Sequence, residues 1–337
     1  SATTGGYSYQ PAKDFAGADS FVVRVSDGKG GTASQTVSVK VLPVNDAPVV
    51  TSFGGSESVA VTVAENGSKV LAVTASDIDG DRLDYAISGG ADAALFTVDP
   101  ASGALSFKAA PDFEAPGDAD GDNVYRVEVS AGDGALADVQ RYSVAVANVN
   151  EAPVVDGAIA IVVDEDTPSP AVAVAASDPD GDALSYSLST GPAQGSVSLS
   201  GGAFSYVPAP DFHGTDSFAI TVADGKGAFA RQDVTVTVRP VNDAPVAGQD
   251  AITLAGSAPT VLAPASLLAN DSDADGDTLE IVAIANASHV TVAIRGSLID
   301  IAPEPGFSGE AGFDYTVSDG NGGSAVGHVV VTLGTTA

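Results

Sequence analysis

The sequence predicts an all-β chain of tandem β-sandwiches, and three observations carry that expectation. The first is a punctuation mark, Val-Asn-acid-Ala-Pro, read at Val44–Pro48, Val149–Pro153 and Val241–Pro245. It recurs at intervals of about 100 residues, the size of one domain. The second is apolar alternation with a period of two, as in Val37, Val39 and Val41 or Val234, Val236 and Val238, the pattern of a half-buried strand. No segment sustains the apolar period of about 3.6 residues that a helix needs. The third is the return of short Gly/Asp turns between these runs, which suits sandwiches of roughly 90 to 105 residues.

Taken in order, residues 1–45 read as the closing half of a repeat. Gly6-Tyr7-Ser8-Tyr9 and Phe21–Val25 are expected strands; the turn Ser26-Asp27-Gly28-Lys29-Gly30-Gly31 and a valine-alternating strand follow. Residues 46–150, 151–242 and 243–337 read as complete repeats. Each opens on an apolar strand, passes an Asp-x-Asp-Gly-Asp motif and closes on a hairpin like the first. The motifs are Asp77–Asp81, Asp178–Asp182 and Asp273–Asp277, and residues 46–150 add a further acidic run, Asp118-Ala119-Asp120-Gly121-Asp122. Proline locks its own φ and biases the residue before it to extended backbone, so each Asn-acid-Ala-Pro linker is expected to be a stiff joint. A segment of about 45 residues seldom buries enough surface to fold alone. The first segment is therefore expected to be completed from outside, by an upstream part of the same chain or by a strand from a neighbouring chain. The absence of an initiator Met fits a piece of a longer chain.

Composition narrows the function. The 337 residues carry 44 acidic and 13 basic side chains, a formal charge of −31. Such a field excludes nucleic acid as a partner and opposes docking on anionic lipid. Regular apolar alternation argues against disorder. Without Cys there are no disulfides, thiolate zinc sites or thiol nucleophiles. No apolar run reaches the ~20 residues of a membrane helix, so insertion into a membrane is not expected. Gly28-Lys29-Gly30-Gly31 and Gly225-Lys226-Gly227 lie between strands with no helix after them, and read as hairpin turns rather than phosphate cradles. The scattered His213, His289 and His328 make no recognisable pair of base and nucleophile, so no catalysis is expected.

The acid has a use in cation binding. Three carboxylates at alternate positions of an extended segment project to one side. Left alone they repel and raise one another's pKa. A hard divalent cation removes that cost, and calcium accepts six to eight oxygens at flexible geometry, whereas magnesium wants a tight octahedron with waters. The motif is not an EF-hand, because the twelfth position counted from Asp77 is Ser88 where that loop needs Glu. The plain alternative is an acidic turn on a solvated surface; three copies at equivalent places favour calcium.

Phe96-Thr97-Val98-Asp99-Pro100-Ala101-Ser102-Gly103-Ala104-Leu105, followed by Pro111-Asp112-Phe113-Glu114, resembles the cadherin run that ends in an Asp-x-Glu ligand pair. With the linkers and acidic motifs, nearly the whole chain resembles the tandem cadherin-like repeats of large secreted bacterial adhesins of the RTX type. Residues 1–45, 151–242 and 243–337 look more like the related bacterial tandem repeat. The resemblance implies immunoglobulin-like Greek-key sandwiches in an elongated array, with Ca2+ at each junction.

Carried over, the first junction would use Asp14, Asn45, Asp46, Asp77, Asp79 and Asp133. The middle one would use Glu65, Asp112, Glu114, Asn150, Glu151, Asp178, Asp180 and Asp224, with Asp182 as a further candidate. The third would use Glu165, Asp211, Asn242, Asp243, Asp273, Asp275 and Asp319. Asp81 and Asp277 hold the place of Asp182 in their own motifs and are candidates with it. The linkers are one residue shorter than the cadherin Asp-x-Asn-Asp-Asn-Ala-Pro. His213 stands in the place of Glu114 at the third junction and Ala16 at the first, so the middle junction has the fullest set. There is no Trp, which excludes the Trp-bearing strand exchange of classical cadherins.

These readings imply a non-catalytic, calcium-rigidified extender of a bacterial cell-surface adhesin, extracellular, whose partners are adjacent repeats of the same long chain. Two alternatives stay open. One is a subunit of an extracellular filament or surface layer, assembled by strand exchange between neighbouring chains in a fibre. The other is a polysaccharide-binding or spacer module of a secreted polysaccharide-degrading enzyme.

Overall fold

The computed structural model describes residues 5–255 and 258–333. Two compact units make up the chain, Ser1–Asn150 and Glu151–Ala337. Among the described residues only short 3-10 turns interrupt the strands, and no helix is long and apolar enough to cross a membrane.

The first unit begins with a hairpin, Gly17–Ser26 against Thr32–Val41, in unbroken antiparallel register. Phe21, Val23, Val37, Val39 and Val41 form its half-buried face. The strand expected at residues 6–9 does not form. Two glycines before Tyr7 and Pro11 after it leave few groups able to ladder. The segment is held through its rings instead: Tyr7 and Tyr9 lie 5.2 and 6.2 Å from Phe21, and the Tyr9 hydroxyl donates to Asp19 at 2.7 Å.

A sandwich follows in the same unit. One sheet has the order Ser58–Ala64, Ala137–Ala147, Val124–Gly132, Asp84–Gly89. The other joins Lys69–Ala72, Ala104–Phe107 and Phe96–Val98. Along Val124–Gly132 every second residue is fully buried, the pleat expected of a strand with one face on a core. Phe107 packs edge-on to Tyr125 at 5.0 Å and tilted on Phe96 at 4.4 Å. Gly103 closes the Phe96–Phe107 hairpin at φ +69°, and a Cβ there would stand 2.2 Å from the Val73 carbonyl oxygen. Gly103→Ala should cost about 1 to 3 kcal/mol of stability, from left-handed strain and that clash. Thermal unfolding reads it, and an unchanged midpoint would show that the turn can relax.

The second unit holds two sandwiches of the same order. The first pairs Ile159–Asp164, Phe229–Arg239, Gly214–Ala223 and Ser185–Thr190, opposite Val172–Ala173, Ala203–Pro208 and Gly195–Ser200. The second pairs Gln249–Leu254, Ser324–Leu333, Gly309–Ser318 and Glu280–Ser288, opposite Thr260–Leu262, Leu298–Pro303 and Val290–Arg295. Phe204 and Tyr206 are 1% and 0% exposed, so these alternating aromatics fill a core. The fold is all-β and made of three tandem sandwich repeats.

In each repeat the first long strand runs parallel to the closing strand. This brings Ala64 beside Ala147 and Asp164 beside Arg239, at the point where the chain leaves the repeat. The next residues, Glu65 and Glu165, donate their backbone N–H to the carbonyls of Ala147 and Arg239 at 3.1 and 3.0 Å. The parallel ladder thus delivers a buried acid to the foot of two of the three linkers, those at Val149 and Val241.

Candidate metal centre

The three Asp-x-Asp-Gly-Asp motifs are tight turns, not the extended segments expected. Gly80, Gly181 and Gly276, at φ +77°, +76° and +75°, turn the backbone back. The first Asp satisfies N–H groups that such a turn leaves without a ladder. Asp77 Oδ1 accepts from Asp79 and Asp81 at 2.8 and 3.4 Å, and Asp273 Oδ1 from Asp275 and Asp277 at 3.0 and 3.2 Å. Asp178 Oδ1 accepts from Asp182 at 3.1 Å. The carboxylates still converge: Asp77, Asp79 and Asp81 bring oxygens within 4.8 Å of one another. In all three copies the other oxygen, Oδ2 of Asp77, Asp178 and Asp273, is buried without a hydrogen-bond partner. A buried carboxylate oxygen with no donor is costly, and a cation is the group that removes the cost.

The linkers dock on these motifs by one repeated bond. The N–H of Asp46 donates to Asp79 Oδ2, that of Glu151 to Asp180 Oδ2 and that of Asp243 to Asp275 Oδ2, each at 2.8 Å. The linker amide adds a second tie in two copies, Asn45 to Asp133 and Asn242 to Asp319, both 2.8 Å. The Leu136 N–H first, then the Asn45 amide, hold the Asp133 carboxyl below the usual range. The Asn242 amide foremost, with N–H groups of Asn321, Gly322 and Gly323, does so for Asp319 against the opposing effect of burial. Asp224 is buried in the equivalent turn and accepts from Lys226, Gly227 and Ala228. Asn150, half-buried, ends the first unit.

The repeat-end acids gather the remaining candidates. Glu65, 3% exposed, accepts the N–H of Phe113 at Oε2 and of Val149 at Oε1, both at 2.7 Å. Its carboxylate lies within 4.8 Å of Asp112 and Glu114 oxygens, and the Asn148 amide donates to Glu114 at 2.8 Å. In the second unit Glu165, also 3% exposed, accepts the linker N–H of Val241 at 2.6 Å. Glu165, Asp243 and Asp275 form one close group; Asp166, Asp211 and Asp243 form another. Asp243 belongs to both, and its Oδ2 is buried without a partner. Burial above all, then the charges of Asp166, Asp211, Asp275 and Glu165, pushes its pKa up. At the first linker Asp14, Asp46 and Asp79 line a concavity of about 240 Å³, and Lys13 stands 3.5 Å from Asp14.

Asp166 and Asn148 were not expected. Asp166 directly follows Glu165 as a second acid at the strand end, a signal the sequence does carry. Asn66 holds the same place after Glu65, and both adopt left-handed backbone, at φ +56° and +62°. Asp211 is also left-handed, at φ +55°, and its N–H donates to Asp166 at 3.2 Å. His213, in the place of Glu114, lies 3.7 Å from Glu165. The third Asp has another neighbour in two of the motifs: Lys226 Nζ is 2.8 Å from Asp182, and the Asn321 amide is 2.7 Å from Asp277. The bond to Asp182 raises the Lys226 pKa. The additional run at Asp118–Asp122 carries its own cation, since Arg126 reaches Asp120 at 3.2 Å and Asp122 at 2.9 Å.

Residues 150–240 match the bacterial cadherin-like domain, and residues 1–40 and 242–332 match the bacterial Ig domain. This separates residues 151–242 from residues 1–45 and 243–337, which the sequence resemblance groups together. A 64-residue stretch is 48% identical to halomucin of Haloquadratum walsbyi, covering 18% of this chain and 1% of that protein. Repeats EC22-24 of mouse cadherin-23 superpose with a TM-score of 0.51 at 17% identity, over 86% of this chain and 99% of theirs. The similarity extends to domains 1-5 of protocadherin gamma B2, with a TM-score of 0.48 at 20% identity, over 95% of this chain and 66% of that one.

Proposed function

We propose that this chain, a tandem run of bacterial cadherin-like and immunoglobulin-like domains, is a calcium-stiffened, non-catalytic extender of a bacterial surface adhesin. One observation carries the reading. The same oxygen of the same motif residue, Oδ2 of Asp77, Asp178 and Asp273, is buried and unbonded in every copy. The donor set around it is all oxygen and mostly anionic, which suits calcium over softer metals.

Around the 242–243 linker, Glu165, Asp166, Asp211, Asp243, Asp273 and Asp275 would hold the ion. Around the 45–46 linker, Asp14, Asp46, Asp77 and Asp79 would do so. Bound calcium would supply positive charge where carboxylates from the repeat end, the linker and the next motif meet. The chain's own residues prepare that meeting. Glu165 fixes Val241, and Asp275 fixes Asp243. The partners in this reading are the adjacent repeats, and the setting is extracellular. Extracellular calcium modules commonly have dissociation constants of ~0.1 to 1 mM. Tenfold excess over that constant stabilises each site by about 1.4 kcal/mol. Several sites at one linker would then decide whether it is ordered.

Small-angle scattering with and without chelator tests the proposal. Removing calcium should shorten the mean end-to-end length and expose the chain to proteases near Asn45, Glu151 and Asp243. Identical scattering curves and cleavage patterns in the two conditions would refute it.

A further inference from the structure

One turn position decides what the third Asp of each motif meets. It lies two residues after the acid of the closing hairpin: Ala135 after Asp133, Lys226 after Asp224, and Asn321 after Asp319. Lys226 places an ammonium 2.8 Å from Asp182, and Asn321 places a neutral amide 2.7 Å from Asp277. Ala135 is exposed and too short to reach Asp81, whose carboxylate has oxygens within 4.8 Å of those of Asp77 and Asp79.

We infer that this turn position grades the calcium affinity of the three motifs, with Lys226 acting as a tethered cation that weakens divalent binding at Asp178 and Asp180. The inference rests on the reading that the motifs bind calcium. Lys226 is not an exchangeable counterion. Its turn is pinned by Asp224, whose Oδ1 accepts the N–H groups of Lys226, Gly227 and Ala228 at 2.7, 3.0 and 3.1 Å. A calcium ion arriving at the motif therefore meets a fixed positive charge that mass action cannot wash away. Asn321 makes the same bridge without the charge, so it orders the turn and leaves the field intact. Ala135 does neither. The run at Asp118–Asp122 takes the device furthest, with Arg126 bonded to two of its carboxylates.

The sign and size follow from Coulomb's law. A unit charge about 7 Å from a divalent ion, in a solvent-like dielectric, changes the dissociation constant by roughly three- to tenfold. Added salt should shrink the effect, because Lys226 is largely exposed.

The full chain is titrated calorimetrically with calcium chloride, and the sites are assigned by the amide resonances of Gly80 and Gly181. Lys226→Asn and Lys226→Ala should each tighten binding at the Gly181 motif by about three- to tenfold. Ala135→Lys should weaken binding at the Gly80 motif by a similar factor. That turn tolerates lysine, since Lys29 occupies the same position in the first hairpin. Thermal unfolding confirms that each variant is folded. Calcium binding with unchanged affinities in the Lys226 variants, or in Ala135→Lys, would overturn the inference and leave the calcium reading standing. No calcium binding by any protein, parent included, would overturn both.

Discussion

Asp243→Asn is expected to weaken calcium binding at the 242–243 linker about tenfold or more, yet to make the calcium-free protein more stable than the parent. The opposite signs come from one carboxylate. Asp243 stands in two acidic groups, with Glu165 and Asp275 and with Asp166 and Asp211. Its Oδ2 is buried and unbonded, so in chelator the charge has nothing to offset it. Burial, then those four like charges, raises its folded pKa above the unfolded value. Between the two pKa values the folded state holds more protons, so stability falls as the pH rises, and the full cost is present at neutral pH. Asparagine removes the charge and keeps the backbone N–H that docks on Asp275. Well below both pKa values Asp243 is neutral and the two proteins should converge. Calorimetry and thermal unfolding in chelator at neutral pH read the two effects. A less stable asparagine variant in chelator would show that the carboxylate serves a protein contact instead.

Glu65→Ala should destabilise the first unit by about 3 to 5 kcal/mol even without calcium. Glu65 is 3% exposed, and its two oxygens serve the N–H of Phe113 and of Val149. Truncation leaves both donors facing a cavity that the side chain had filled, and a buried unpaired N–H costs about 1 to 3 kcal/mol. Glu65→Gln keeps one acceptor oxygen and should lose less. Chemical denaturation in chelator compares them. Equal losses for the two variants would mean that charge, rather than the paired acceptors, holds the loop and the linker.

The repeats were legible because their pattern is periodic. Val234, Val236 and Val238, which alternate in the sequence, are 1%, 0% and 2% exposed. The same cue failed at Tyr7 and Tyr9, because alternation reports a face to be covered and not a ladder to be joined. For the candidate sites, spacing revealed which acids recur, such as Asp77, Asp178 and Asp273. It did not reveal the turn, because one glycine at φ near +76° in each motif decides whether carboxylates align along a strand or fold over their own N–H groups. Asp166 escaped because it does not recur: the preceding repeat has Asn66 in that place. The bond from Lys226 to Asp182 escaped for a different reason. It joins two turns at the same end of a sandwich, and only the packed sheets bring them together.

The parallel pairing of opening and closing strands has a consequence under load. Ser58–Ala64 is laddered to the closing strand from Arg141 to Ala147, Ile159–Asp164 to that from Val234 to Arg239, and Gln249–Leu254 to that from His328 to Leu333. Behind a short entry pairing, Val49–Val50, Val154–Val155 or the Val246 bridge, the first and last long strands of each repeat therefore lie side by side and point the same way. Tension along the chain drags them past each other in shear, so all rungs of the ladder bear force at once. A hairpin pulled at its open end would unzip rung by rung at far lower force. Forced rupture is governed by the unfolding barrier rather than by equilibrium stability. Each repeat would hold until its whole ladder gives way, and would then lengthen the chain before the next one yields.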